Sequence, residues 1–491
     1  MKQSKFATVV APLLFFTVLS FLVMGYHPGY EDDGVYLSAI KADLNPALYP
    51  HDADFFRLQM QASVFDKAVA GAVRLTRIDL AWIEFFIQIL SLAFILWAAR
   101  GIARKLFVQI AAQWAAVAML AAMFTLPVAG TALFICDQHL HPRNLATAFT
   151  VIAIWRLVEN RTGQAVPCLV LSFVLHPIMG AMGISFAFFT WLIYTGSGAK
   201  TLGKWSTPSL AAVAAIPVFG PPNPEWRQAV ESKSYLFLGR WEWCEWLGAL
   251  APLALFWVLA RLAGRRGERN LARFAWTVFV FGVFQQTIAF AMLSPGAPIR
   301  LAPLQPMRYL QLVYLFLVMI AGGLIGRFLL RRAIWRWAVF LVLVNGGMFA
   351  AQRALLPSSP HLELPGVAAG NDWLQAFAWI RQNTPANAYF ALDPHYLEAP
   401  GDDEHSFRAL AERSVLADAV KDASVVTQTP ELGPIWAWQV TATEGWRNFK
   451  LADFERLKAE FGVDWALVSY PATEGLHCVW HDRTLAVCRV P

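Results

Sequence analysis

The sequence predicts a mainly α-helical, polytopic transmembrane bundle carrying a small extracytoplasmic α/β domain at its C-terminal end. Three observations predict it. The 491-residue chain is 57% hydrophobic and only 15% charged, with a mean hydropathy of +0.45, well away from the composition of an ordinary soluble domain. Apolar segments of bilayer-spanning length, or close to it, recur along residues 1–351. Charge then divides the chain: residues 352–491 hold 18 acids and 11 bases, so residues 1–351 carry +13 within an overall +6. The expected domains are therefore 1–351 in the membrane and 352–491 outside it. A nucleic-acid binder would gather its basic residues on a soluble face, and nothing of that kind is present.

The candidate spans, in order, are 8–24, 80–99, 108–134, 145–158, 166–195, 246–262, 274–293, 309–326 and 335–351. The first follows Lys2 and Lys5, as a secretion signal would. No small-x-small cleavage site follows it, so it reads as an uncleaved helix. Lys and Arg cluster at Arg100/Arg104/Lys105, at Arg261–Arg273 and at Arg327–Arg336. The positive-inside rule places these loops and the N-terminus in the cytoplasm of a plasma (inner) membrane protein. Nine spans satisfy every cluster and leave the tail domain outside. Segment 208–220 has thirteen mostly apolar residues, too few to cross comfortably. It reads as a re-entrant or half-length helix, or as one half of an extra pair that would raise the count to eleven. Pro167 and Pro177 predict that 166–195 is broken, because proline removes a helical hydrogen bond.

Outside loops then cover 25–79, 136–144, about 196–245 and 294–308, with everything after about 352. Phe55–Arg77 has the pattern of an amphipathic helix at a membrane surface, and so has part of Glu225–Trp246. In the tail, helical spacing begins at Asn371-Asp372 and stops before Thr384-Pro385. Ala388–Leu392 reads as a strand, Asp453–Phe461 as a helix ended by Gly462, and Trp465–Tyr470 as a second strand. His477–Trp480 and Leu485–Val490 pair as a hairpin.

Five cysteines are few. Cys136, Cys168 and Cys244 read as packing residues. Cys478 and Cys488 fall on the two arms of the hairpin, where an extracytoplasmic disulfide is chemically permitted. No CxxC, HExxH or EF-hand pattern supports a dedicated metal cage.

Chemistry has two candidate seats. Glu31-Asp32-Asp33 opens the first outside loop, in a stretch (31–54) with six acids and one base. Carboxylates beside a low-dielectric boundary suit general-base work, or they bind a divalent cation as cofactor. An acid-rich outer loop without function would look similar. The second loop packs Asp137, Gln138, His139, His141 and Arg143 between two apolar segments, more polar groups than a tight turn requires. Arginine holds phosphate bidentately, and Asp or His holds a metal or a proton. His176 precedes Pro177 inside an apolar run, where ionisable groups tend to face a cavity, or it fills a hydrogen bond that the proline frees. Arg300 and Arg308 stand at the outer face and suit a lipid phosphate, whether of a substrate or of bulk head groups.

An acidic motif after the first span, a polar second loop, broken middle helices and an outside tail together resemble the GT-C class of polytopic membrane glycosyltransferases. The tail residues Asp372-Trp, Trp379-Ile-Arg-Gln-Asn-Thr-Pro385, Phe390, Phe407-Arg and Arg413-Ser are similar to those of an uncharacterised bacterial branch. The resemblance implies an inverting enzyme that moves a sugar from a polyprenyl-phosphate donor to an extracytoplasmic acceptor. It assigns the base to Asp32 or Asp33 (with Glu31 beside them), the second-loop acid to Asp137, and phosphate contacts to Arg143, Arg300 or Arg308. A transporter or flippase of lipid-linked or anionic solutes is the main rival. It would need more charge inside the spans than Glu84 and His176 supply. A non-catalytic assembly subunit is the third reading, and neutralising Asp32 and Asp33 would leave its function untouched.

Overall fold

A computed structural model describes residues 2–195, 223–294, 296–367, 370–398 and 405–491. Segment 208–220 lies outside the described residues. Helices dominate. Among the described residues, six are long and apolar enough to cross a membrane: Leu80–Leu106, Pro177–Thr195, Trp243–Arg265, Arg269–Leu293, the composite Ile299–Leu330, and Ile334–Leu355. Shorter apolar helices cover Thr8–Met24, Ile110–Ala122 and Thr162–Leu175. The protein is thus a polytopic helical bundle with a small C-terminal sheet domain.

The expected helices are redrawn in three places, each for a local reason. Apolar 108–134 is not one helix. The helix Ile110–Ala122 gives way to a short antiparallel pair, Pro127–Val128 with Leu133–Phe134, because Pro127 cannot continue the helical ladder and Gly130 turns with φ +62°. The break in 166–195 falls at His176-Pro177, between Thr162–Leu175 and Pro177–Thr195; Pro167 stays inside its helix. The amphipathic stretch 55–77 divides into Asp54–Ala62 and Phe65–Thr76. Ser63 is extended there, and its hydroxyl accepts the Phe65 N–H at 3.2 Å, restarting the chain as a new helix.

By contacts the chain forms two compact units, each assembled from several stretches. The first unit comprises Met1–Gly25, Phe86–Val218 and Ser234–Gln352. Its core is packed by rings such as Phe186, Phe274, Phe281 and Phe316, whose centroids lie 4.8–6.3 Å apart. Buried Gln311 is paired: it donates to the Ile135 carbonyl at 2.8 Å and to the Thr147 hydroxyl at 3.0 Å.

The second unit comprises Tyr26–Phe85, Phe219–Lys233 and Arg353–Pro491. Its five-stranded sheet runs Ser414–Val415, Tyr389–Ala391, Trp465–Ser469, Leu485–Arg489, His477–His481. The first three strands are parallel and the last two antiparallel. Side chains alternate between faces. Trp465 and Leu467 pack with Leu374, Phe377 and Ile380 of helix Asp372–Asn383. Ala466 and Val468 pack with Phe454 and Leu457 of helix Leu451–Phe461 on the other side. Burial on both faces explains the continuous apolar run Trp465–Val468. The expected helix start at Asn371 is an N-cap whose side chain accepts the Trp373 N–H at 2.8 Å. Gly462 ends the later helix with φ +76°. Cys478 and Cys488 face each other across the hairpin and form a disulfide.

The loop after the first helix belongs to this second unit. Tyr26 pairs with Leu362, and Tyr30 with His405, in isolated bridges. Lys41 binds Glu412 at 2.7 Å. Arg408, fully enclosed, spans Asp52 at 2.7 Å and Asp422 at 3.0 Å. Trp226 donates its indole N–H to the Thr427 carbonyl at 3.0 Å.

Candidate functional site

Within the first unit, the loop Cys136–His141 closes on itself as it enters helix Pro142–Val158. The residue before a proline is pushed to extended backbone, and proline suits the first helical position. His141 accordingly has φ −121°, ψ 139° and caps the helix, its Nδ1 accepting the Arg143 N–H at 2.9 Å. Asn144 holds the other end: its Oδ1 accepts the Asp137 N–H at 3.0 Å and its Nδ2 donates to the Asp137 carbonyl at 3.0 Å. Arg143 then reaches Asp137 bidentately, Nε to Oδ2 at 2.9 Å and Nη2 to Oδ1 at 2.6 Å. Both side chains are buried, so each is the other's compensation for lost water.

Three imidazoles complete the group. His139 lies 5.8 Å from His141 between ring centroids, and His176 stacks on His141 at 6.0 Å. His176 sits at the helix break, where its Nδ1 accepts the Met179 N–H at 3.4 Å. Burial, then the charges of Arg143, His139, His176 and Arg308, hold the His141 pKa well below the ordinary histidine value. The ring is neutral. Since Nδ1 accepts a backbone N–H, its proton resides on Nε2 and makes that nitrogen a donor. Buried Arg143 is paired with Asp137, and half-buried Arg308 is close enough for its charge to act on His141. Of the residues the sequence nominated, Asp137, His139, His141, Arg143, His176 and Arg308 come together here. Arg300 does not; it is exposed on the turn Ile299–Leu304.

The first-loop carboxylates lie in the second unit, and they are not equivalent. Asp33 is buried at 2% exposure, and its Oδ2 accepts the Gly29 N–H at 2.6 Å. Gly29 has φ +84°, and a Cβ there would meet Leu410 at 2.7 Å, so the turn requires glycine. Glu31, itself at φ +52°, and Asp32 are about one-third exposed and share Lys421, at 3.1 and 3.4 Å.

A third constellation went unseen in the sequence. His27 Nδ1 lies 2.8 Å from Glu363 Oε1, and His405 Nε2 lies 2.9 Å from Glu363 Oε2. Burial opposes the charge on Glu363, but the flanking His405 and His27 outweigh it and lower its pKa. Beside this carboxylate opens a cavity of about 950 Å³ within the second unit, lined by Tyr26, Glu363, Trp379, Arg381 and Trp480 among others.

Residues 371–430 match the family described as a domain of unknown function, DUF6798. No curated protein sequence matches the chain. Among solved structures it is similar to the archaeal oligosaccharyltransferase AglB from Archaeoglobus fulgidus, in complex with an inhibitory peptide and a dolichol-phosphate. That likeness has 11% identity and a TM-score of 0.46, over 94% of this chain and 69% of that one. It is also similar to the mycobacterial arabinofuranosyltransferase AftD, at 13% identity and a TM-score of 0.43, over 97% of this chain and 41% of that one. With TM-scores below 0.5, neither likeness carries weight for activity, which is read from the residues.

Sequence reasoning found the second-loop group because five of its polar members crowd into one heptapeptide, Asp137–Arg143. Lys421, the partner of the first-loop acids, carried no signal beyond being a basic residue in an acidic tail.

Proposed function

We propose that this protein is a membrane glycosyltransferase that moves a sugar from a polyprenyl-phosphate donor to an extracytoplasmic acceptor. The observation that carries the proposal is the buried group around Arg143. Two guanidinium groups, Arg143 and Arg308, with the neutral His141 ring beside them, suit an anion and stabilise negative charge as it develops on a leaving phosphate. Arg143 and Arg308 would hold the phosphate, while Asp137 keeps Arg143 oriented.

Transfer is assigned as a single, inverting displacement. The acceptor hydroxyl attacks the anomeric carbon, its proton passes to a first-loop carboxylate, and the polyprenyl phosphate leaves with the bonding electrons. Asp32 fits the base better than Asp33, because a base needs access to substrate. Asp32 is partly exposed, whereas Asp33 is committed to the Gly29 turn. The disulfide between Cys478 and Cys488 supports an extracytoplasmic tail, since such bonds persist where the surroundings oxidise.

The test compares lipid-linked and surface glycans by mass spectrometry in wild-type cells, a deletion strain, and the deletion rescued by Asp32→Asn or Arg143→Ala at matched expression. The deletion should lack one sugar, and neither variant should restore it. Full rescue by both variants would overturn the enzyme reading.

A further inference from the structure

His27, Glu363 and His405 come from three distant parts of the chain, yet backbone bonds bring them together inside the second unit. Tyr26 N–H donates to the His361 carbonyl at 3.1 Å and Glu363 N–H to the Tyr26 carbonyl at 2.9 Å, while Ser406 N–H donates to the Gly29 carbonyl at 2.8 Å. The two histidines are 1% and 0% exposed. We propose that these three side chains bind a zinc-class divalent cation, held on one side by His27 and His405 and on the other by both oxygens of Glu363.

Four arguments support the assignment. The first is the donor set: two imidazoles and one carboxylate suit borderline divalent cations such as zinc and disfavour calcium or magnesium, which take oxygen ligands. The second is spacing. Ligands about 2.0–2.1 Å from zinc lie about 2.9 Å apart at a right angle and about 3.3 Å apart at the tetrahedral angle. The observed 2.8 and 2.9 Å between each ring nitrogen and its carboxylate oxygen need little movement, and all three ligand atoms fall within 4.8 Å of one another. Third, the scaffold is set by main-chain bonds, so the donors are in place before an ion arrives. Fourth, Glu363 borders the cavity of about 950 Å³, which supplies an entry path and room for water at the remaining coordination positions.

Binding needs no redox partner. Each ring nitrogen that meets the cation gives up its proton, which moves to the other ring nitrogen or to solvent, and the Glu363 oxygens exchange hydrogen bonds for metal bonds. The site lies four residues before Glu31, so a bound ion would fix the turn that carries the first-loop acids. This inference does not depend on the glycosyl-transfer reading.

The test uses the full chain in nanodiscs, purified with a tag free of histidine and stripped with a chelator. Zinc chloride is titrated by calorimetry, and cobalt(II) is added separately to read the visible absorption of a bound ion. Wild type should take up one equivalent of zinc and develop the cobalt bands. Glu363→Gln, which keeps its size and hydrogen bonding, and His405→Ala should each weaken zinc at least a hundredfold and abolish the bands. His361→Ala, whose ring lies 6.4 Å from His27, should change neither. Size-exclusion profiles and an intact Cys478–Cys488 disulfide report that the variants fold. No uptake by wild type, or uptake unchanged in folded Glu363→Gln, overturns the proposal and leaves a hydrogen-bonded triad.

Discussion

Asp137 to Arg143 builds most of the first unit's cluster from seven consecutive residues, whereas His27, Glu363 and His405 are gathered across separations of 336 and 42 residues. Their side chains differ as well. In the first group Arg143 pairs bidentately with Asp137, and Arg308 and three imidazoles lie around that pair, a setting rich in groups that suit an anion. In the second, one carboxylate lies between two nitrogen donors, a setting that suits a cation. Burial alone says that polar groups must be paired; the kinds of donor gathered in each place say what it suits.

The largest expected effect attacks the first group at its pair. Asp137→Ala leaves Arg143 buried without its carboxylate and should cost about 3–5 kcal/mol in thermal or denaturant unfolding. A loss below about 1 kcal/mol would show that water reaches the guanidinium and that the group is not closed. In the second group, Glu363→Ala should cost about 1–3 kcal/mol, the penalty for buried partners left without their acceptor. Glu363→Gln should recover most of that in chelator-treated protein. Equal losses in the two variants would mean that the charge, and not the hydrogen bonding, holds the histidines.

A smaller effect distinguishes the groups by pH. His141 is held neutral in the folded protein among Arg143, Arg308, His139, His176 and Asp137, while in the unfolded chain it titrates near pH 6.5. Below that pH the unfolded state binds a proton that the folded state does not. Stability from this residue is therefore complete above about pH 6.5 and declines as pH falls, by at most about 1.4 kcal/mol per pH unit. His141→Asn keeps an N-capping side chain and should flatten the decline between pH 6.5 and 5. The smallest stability effect belongs to Asp32→Asn. Its contact with Lys421 is partly exposed, so unfolding should shift by about 0–1 kcal/mol while sugar transfer is lost. A large stability change would make Asp32 a structural residue instead.

The same contrast explains what was legible in the sequence. Periodicity and caps are local signals, so Asn371, Gly462 and the hairpin at Cys478/Cys488 were placed correctly, and the break at Pro177 was anticipated. The hairpin at Pro127–Phe134 was missed because its residues are as apolar as a span, and hydropathy outweighed Pro127 and Gly130. Asp137–Arg143 was visible as a dense polar island. His27, Glu363 and His405 each looked ordinary, since nothing local marks residues that meet only through the bridges Tyr26 to Leu362 and Tyr30 to His405. Which of Glu31, Asp32 and Asp33 stands apart is open in the sequence, because three adjacent acids carry no local signal that separates them. The turn at Gly29 separates them by drawing Asp33 inward.

Because the second unit takes Tyr26–Phe85 from one end of the chain and Arg353–Pro491 from the other, it cannot be completed while the ribosome is still making the helices between. At about 5–20 residues per second, the roughly 270 intervening residues take on the order of 13–54 s to synthesise. For that interval the early loop must wait unpaired, with Phe55, Phe56 and Phe65, all buried in the finished protein, open to misassociation. A membrane surface or a chaperone that shelters this loop during synthesis would raise the yield of folded protein, and truncations lacking the tail should be degraded even when every span inserts.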